Sequence, residues 1–267
     1  MGFRYLLSGF VWALLHGGLV QAQPLQAGGT EWRPFSYTDE SGRLNGISTD
    51  VARRVFELAQ VEAHFTSYPV NRLQVMLHKG QVDLNYADSP SWNVPQKTEN
   101  YVFSIPYMKV HEHLYFKADS PAAKLPLERL KHMTIGTVRG YTYPVLEPAV
   151  AAKHLTFLET SEDRALLDLL QSGRVDAVAM VDDLYDYLIA HQRLDPKRFR
   201  RGATLSEAQL VIKLQRKHAA LLPRINAAIT KLQRSGEVER IRRTYLPQTP
   251  NLVSIRCTAD SQACRPD

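Results

Sequence analysis

Apolar positions along the chain follow two alternating rhythms, runs of strand length and stretches with helical spacing. Over Thr49–Gln60, Val51, Ala52, Val55, Phe56 and Ala59 recur on one helical face. Ser48 or Thr49 stands where a cap would satisfy a free backbone N–H, and Asp50 puts negative charge in the first turn, where the helix dipole favours it. Arg72–His78 predicts a second helix that stops at Gly80, with a strand to follow over Val82–Ala87. Arg164–Gln171 predicts another helix that stops at Gly173, followed by a buried strand over Val175–Val181. Glycine just past a last turn adopts the left-handed conformation that ends a helix. These two helix-then-strand units share Leu-x-x-Gly-x-Val-Asp, at Leu77–Asp83 and Leu170–Asp176, 93 positions apart. In the last third, Leu221–Gln233 lines up Ile225, Ala228, Ile229 and Leu232, Ser235-Gly236 breaks the pattern, and Val238–Leu246 predicts a short final helix before Pro247 and Pro250. Helices alternating with strands imply parallel sheets, and two related units imply two α/β lobes. The cleft between such lobes, at the carboxyl ends of the strands, is the natural place for a ligand.

Upstream of this pattern, Met1–Arg4 carries one positive charge and Leu6–Val20 is mostly apolar, though broken by Ser8, Gly9, His16, Gly17 and Gly18. Val20-Gln21-Ala22 supplies small residues at the −3 and −1 positions. This predicts a secretory signal peptide over 1–22, cleaved after Ala22, and a mature protein delivered to the periplasm. A membrane span needs about 20 unbroken apolar residues, which the glycines here interrupt. No cysteine stands near the cleavage site to carry a lipid.

Composition changes this picture little: 267 residues with 44% hydrophobic and 22% charged are ordinary for a globular chain. The net charge of +6 raises the question of nucleic acid. The basic residues are scattered, however, and the densest patches, Lys197–Arg201 and Arg240–Arg243, lack the interleaved aromatics of a stacking surface, so no nucleic-acid partner is expected. Cys257 and Cys264, in a polar tail, predict a local disulfide in an oxidising compartment, since a thiolate zinc site would need further ligands that the tail lacks. His111-Glu-His113 places two imidazoles on one strand face without an evident third ligand, and no metal or other cofactor is expected.

Several segments occur in a telling order: Arg33-Pro-Phe-Ser-Tyr37, then Gly42, Leu44, Gly46 and Asp50, then Leu77–Asp83. Phe103-Ser-Ile-Pro-Tyr107, Ile135-Gly-Thr-Val-Arg-Gly140, Gly173-Arg-Val-Asp-Ala-Val178 and Asn226–Gly236 follow. In that order they resemble bacterial solute-binding protein family 3, the amino-acid-type periplasmic binding proteins, over Leu25–Leu246. The resemblance implies an α/β, two-lobed periplasmic binding protein of type II, with a ligand cleft between lobes and two crossover hinge strands near Lys109–Leu114 and Ser206–Leu210. Lobe 1 would comprise 23–110 and 208–246, lobe 2 111–207, and a tail 247–267. The implied motion is hinge closure around the ligand.

The resemblance also implies site residues. Trp32 aligns with the aromatic that covers the ligand, and Tyr68 is a candidate for the facing wall. The family's carboxylate-binding Arg falls on Lys97, where a point charge replaces a two-pronged fork. Arg72 is an alternative cation, and Ser89 and Ser91 are candidate donors. Arg139-Gly-Tyr-Thr142 matches a helix-starting turn whose amides and Thr142 hydroxyl would meet the carboxylate. The family's Asp for the ligand's amino group falls on Val181, and Asp182, one residue along, would face the other side of a strand, which leaves amino-acid specificity open. The implied function is capture of a small polar solute, an amino acid or related carboxylate, for an ABC-type permease, by a monomer without catalytic residues. A sensing protein that reports to a membrane receptor uses the same closure. A third alternative is an enzyme like the periplasmic cyclohexadienyl dehydratases, which this chain also resembles in Phe-Ser-Ile-Pro-Tyr. Their catalytic Glu falls on Leu184 here, with Asp183 or Asp186 in reach only after a register shift.

Overall fold

The computed structural model describes residues 23–93 and 99–246; the predicted leader, Lys97 and the tail with Cys257 and Cys264 lie outside them. The chain opens with β1 (Leu25–Thr30), a short antiparallel ribbon β2 (Tyr37–Thr38) and β3 (Leu44–Asn45), and α1 (Ile47–Leu58). Next come β4 (Ala63–Tyr68), α2 (Val70–His78) and β5 (Leu84–Asp88), and β1 runs parallel to both β4 and β5. After β6 (Tyr101–Phe103), β7 (Met108–Lys117) leads into a second unit of β8 (Met133–Val138), α3 (Glu147–Ala151), β9 (Leu155–Thr160), α4 (Leu166–Gln171), β10 (Ala177–Val181) and α5 (Asp182–His191). Here β8 is parallel to β9 and to β10. The long β11 (Phe199–Gln215) then returns the chain, and α6 (Leu222–Arg234) and α7 (Glu237–Tyr245) close it.

The strand order is β4-β1-β5-β11-β7-β10-β8-β9, with β6 paired to β11. Two sheets meet along β11. Its Phe199–Leu210 segment pairs antiparallel with β7, while from Val211 on it pairs with β5 and then β6. Each parallel core is thus edged by strands that run from one lobe into the other, the architecture of a type II periplasmic binding protein. One apolar core is continuous across the seam, joining Phe35, Tyr86, Tyr107 and Leu210 to Val138, Val178 and Leu184. A second cluster, with Leu114, Phe116, Ile135 and Tyr143, fills the other face of the second sheet. No helix among the described residues is long and apolar enough to cross a membrane.

Element ends depart from the sequence pattern for physical reasons. The first helix starts at Ile47, so Ser48 and Thr49 are buried inside it and do not cap it. Its free amides are met by backbone instead: Ile47 N–H donates to the Pro34 carbonyl at 2.9 Å and Ser48 N–H to that of Phe35 at 2.8 Å. Gly46 makes this approach feasible, with φ of 127° and a position where a Cβ would lie 2.3 Å from the Phe35 oxygen. The strands begin later than their apolar runs. Val82 and Val175 are buried in the turns that precede β5 and β10, and a buried turn is as apolar as a strand. Asp163–Ala165 forms a single 3-10 turn ahead of α4, where the pattern predicts continuous helix.

Candidate ligand-binding cleft

Trp32 follows β1 and is held by a tight loop in which its N–H donates to the Ser36 carbonyl at 2.6 Å. Its indole stacks on Phe35 at 4.0 Å between ring centroids and meets Trp92 edge-on at 5.7 Å. Trp32 is 5% exposed, so this aromatic corner is packed shut. Trp92 ends the 3-10 turn after β5, and its carbonyl accepts from the Thr142 hydroxyl of the other lobe at 3.4 Å.

Three further contacts hold the lobes together. Arg33 N–H donates to the Asp163 carboxylate at 2.8 Å, with the guanidinium 4.0 Å from its second oxygen. Burial raises the Asp163 carboxyl above the usual carboxylate range against the opposing pull of Arg33. Gly140, at φ of 86°, lies so near the start of α2 that a Cβ would come within 2.7 Å of the Asn71 side-chain oxygen. Arg242 of α7 pairs with the buried Asp183 at the start of α5. The lobes are therefore closed on one another.

Of the sequence-predicted residues, Trp32 and Thr142 come together at this seam. Tyr68 is half-buried with the exposed Arg72 guanidinium 5.7 Å above its ring, at the first turn of α2. Ser89 is buried and shares a hydrogen bond of 2.9 Å with Ser91. Asp182 is engaged within its own lobe, accepting from Tyr115 at 2.7 Å and Arg201 at 2.9 Å, with His113 Nδ1 at 2.7 Å. His111 pairs instead with Glu207 at 3.2 Å, so the two imidazoles serve different partners. Leu184 is buried in the core.

Sequence reasoning missed two charged features. Lys213 of β11 is buried, 3.3 Å from Asp88 and donating to Asn93 at 2.5 Å, with its ammonium 4.4 Å from the centre of the Tyr101 ring. Asn93 and Asn85 donate to the same Asp88 carboxylate at 2.7 and 3.2 Å, which fixes the end of β5 beside the cleft. The second is Glu112 on β7, directly across from Val181 on β10 and from Ser206 on β11, whose hydroxyl donates to it at 2.9 Å. Burial pushes its carboxyl up to about 7, with the Ser206 hydroxyl pulling the other way. No local signal marks Lys213 or Glu112, because the hydrogen-bond partner of the first lies 120 positions away and that of the second 94. A separate opening of about 340 Å³ beside the crossover strands is lined by Lys109, His111, Asp182, Asp186, Arg201 and Arg242.

The fold agrees with known proteins. Residues 26–248 match the model of bacterial extracellular solute-binding proteins, family 3. The arginine-binding periplasmic protein of Mannheimia haemolytica is 27% identical over 239 residues, which cover 85% of this chain and 94% of that one. Among solved structures, an ancestral arginine-binding protein bound to arginine superposes with a TM-score of 0.71 at 21% identity, covering 84% of this chain and 98% of the other. A histidine kinase sensor domain with similarity to periplasmic binding proteins gives 0.70 at 21% identity, covering 84% and 96%. With the family model spanning nearly all of the described fold, the chain belongs to the bacterial extracellular solute-binding proteins of family 3.

Proposed function

We propose that the protein is exported to the periplasm, captures a free amino acid between its lobes and hands it to an ABC-type permease. In this reading lobe 1 is 23–110 with 208–246, lobe 2 is 111–207, and the hinge runs through β7 and β11. The observation that carries it is the closed seam, where Trp92, packed edge-on to Trp32 in one lobe, accepts from Thr142 of the other and Arg33 meets Asp163. An aromatic corner backed by donors from two lobes suits a solute with an apolar stem and polar ends. Lys97, Tyr68, Arg72, Ser89 and Thr142 remain its candidate polar and wall groups, and the Mannheimia haemolytica relative makes L-arginine the first solute to try.

The test is a thermal-shift screen of the refolded exported protein against amino acids, amines, organic acids and small peptides. A solute at about 100 times its Kd adds roughly 2.7 kcal/mol, a shift easily read. Stabilisation by amino acids supports the reading, and stabilisation only by organic acids or peptides refutes it. Sensing rather than delivery is the second reading, supported by the likeness to a kinase sensor domain. Co-purification with a receptor rather than a permease would favour it.

A further inference from the structure

Glu112 is a buried acid whose charge no described residue offsets. Among the described residues its hydrogen-bonded partner is the Ser206 hydroxyl, and no cation acts on it. Residues opposed across a ladder point to one face, so Glu112, Val181 and Ser206 share a face of the second sheet. Thr137 shares it too, since Ile135 opposes Ala177 and alternate residues along each strand face the same way.

The same region holds two further polar atoms without partners. Thr137 Oγ1 and the Tyr141 hydroxyl are both buried and make no hydrogen bond among the described residues. Tyr141 follows Gly140, the residue that presses against Asn71 of the opposite lobe, and so stands at the seam. Besides burial, Tyr141 feels Asp163 and Glu112 of its own lobe and Glu31 of the other, which all raise its phenol further. Glu112 acts on the Tyr141 phenol, so the acid and this orphaned hydroxyl lie near one another at the interlobe seam, and buried polar groups left unmet in a native fold call for a partner to explain them.

We infer that Glu112 is the anionic anchor of the cleft and receives a protonated nitrogen of the solute, an ammonium or guanidinium group. This rests on the amino-acid reading above and deepens it. Such a group is all donor, and the atoms waiting for it can both accept: the carboxylate of Glu112 and the oxygen of Tyr141. A charge-assisted hydrogen bond in a site closed to water is the strong kind. A solute carboxylate at the same position would be repelled, so Glu112 also sets which end of the solute enters the second lobe.

The experiment is titration calorimetry of the refolded protein with the free L-amino acids, N-acetyl-L-arginine and L-citrulline, on wild type, Glu112→Gln, Glu112→Asp and Tyr141→Phe. Glu112→Gln is expected to stay folded, with an undiminished melting temperature, and to bind about 10- to 100-fold more weakly. Glu112→Asp should lose less, and Tyr141→Phe only a few-fold. The analogues separate the two sources of charge. If removing the α-ammonium in N-acetyl-L-arginine abolishes the sensitivity to Glu112→Gln, the α-ammonium is the bound group; if L-citrulline does so, it is the guanidinium. Folded Glu112→Gln that binds as tightly as wild type overturns the assignment and leaves the amino-acid reading standing. Wild-type protein that binds no amino acid removes that reading and this assignment with it.

Discussion

At the scale of the residue, side-chain direction decides more than residue type. Asp182 is an acid next to the position where the family resemblance expects one, yet its carboxylate is occupied by Tyr115, Arg201 and His113. Val181 is packed in the core, and the acid on its face is Glu112, reached across the ladder. Trp32→Ala should abolish solute binding while circular dichroism stays native, because the indole walls the seam; unchanged affinity would remove it from the site. Glu112 also gives the ligand-free protein a pH signature. Its carboxyl ionises near 4.5 when unfolded and about 7 when folded, so the folded state keeps its proton longer. Stability from this group is complete below the lower value and falls as pH rises through the window, by roughly 3 kcal/mol. Subtracting the Glu112→Gln profile isolates it, since Asp163 adds a slope of the same sign to both proteins. Urea midpoints of the two proteins that stay parallel from about pH 4 to 8 would contradict the burial of Glu112 as an uncompensated acid.

At the scale of the element, the helices were legible because their spacing is local. The stripe Val51, Ala52, Val55 and Phe56 does face the core, and so does Ile225, Ala228, Ile229 and Leu232 of α6. Their starting points were less legible. The first turn of α1 is capped by carbonyls of Pro34 and Phe35, a contact that a reading of local caps does not contain. The same contact predicts that Gly46→Ala costs about 3 kcal/mol or more, through both the disfavoured φ and the clash with the Phe35 carbonyl. Chemical denaturation measures it; a loss under about 1 kcal/mol would mean the 33–36 loop yields easily. That loop carries Trp32 and Arg33 into the seam, so the variant should also weaken solute binding.

At the scale of the whole molecule, closure rests on a few contacts between lobes, and Asp163 is the buried one that faces Arg33. Asp163→Ala leaves the Arg33 N–H without its acceptor only when the lobes are shut, so it should favour the open form. Solute affinity should fall about tenfold, mostly through faster release, with stability of the unliganded protein little changed. Stopped-flow dissociation and small-angle scattering, which reads the contraction on adding solute, check both parts. Equal release rates would show that closure does not depend on this pair.

Order and periodicity along the chain were enough for the two-lobed α/β class, the crossover strands and the family, since each rests on neighbours in sequence: a glycine after a helix, an apolar stripe, a motif in its place. Trp32 and Thr142 were candidates for the same reason, as members of ordered motifs, and both stand at the seam. Folding alone brought Trp92 against Trp32, Arg33 against Asp163, Lys213 under Asp88, and Glu112 beside Val181. Each of these pairs joins segments distant in the chain. Their chemistry depends on burial and on which face of a strand looks inward, and those are properties of the packed sheets.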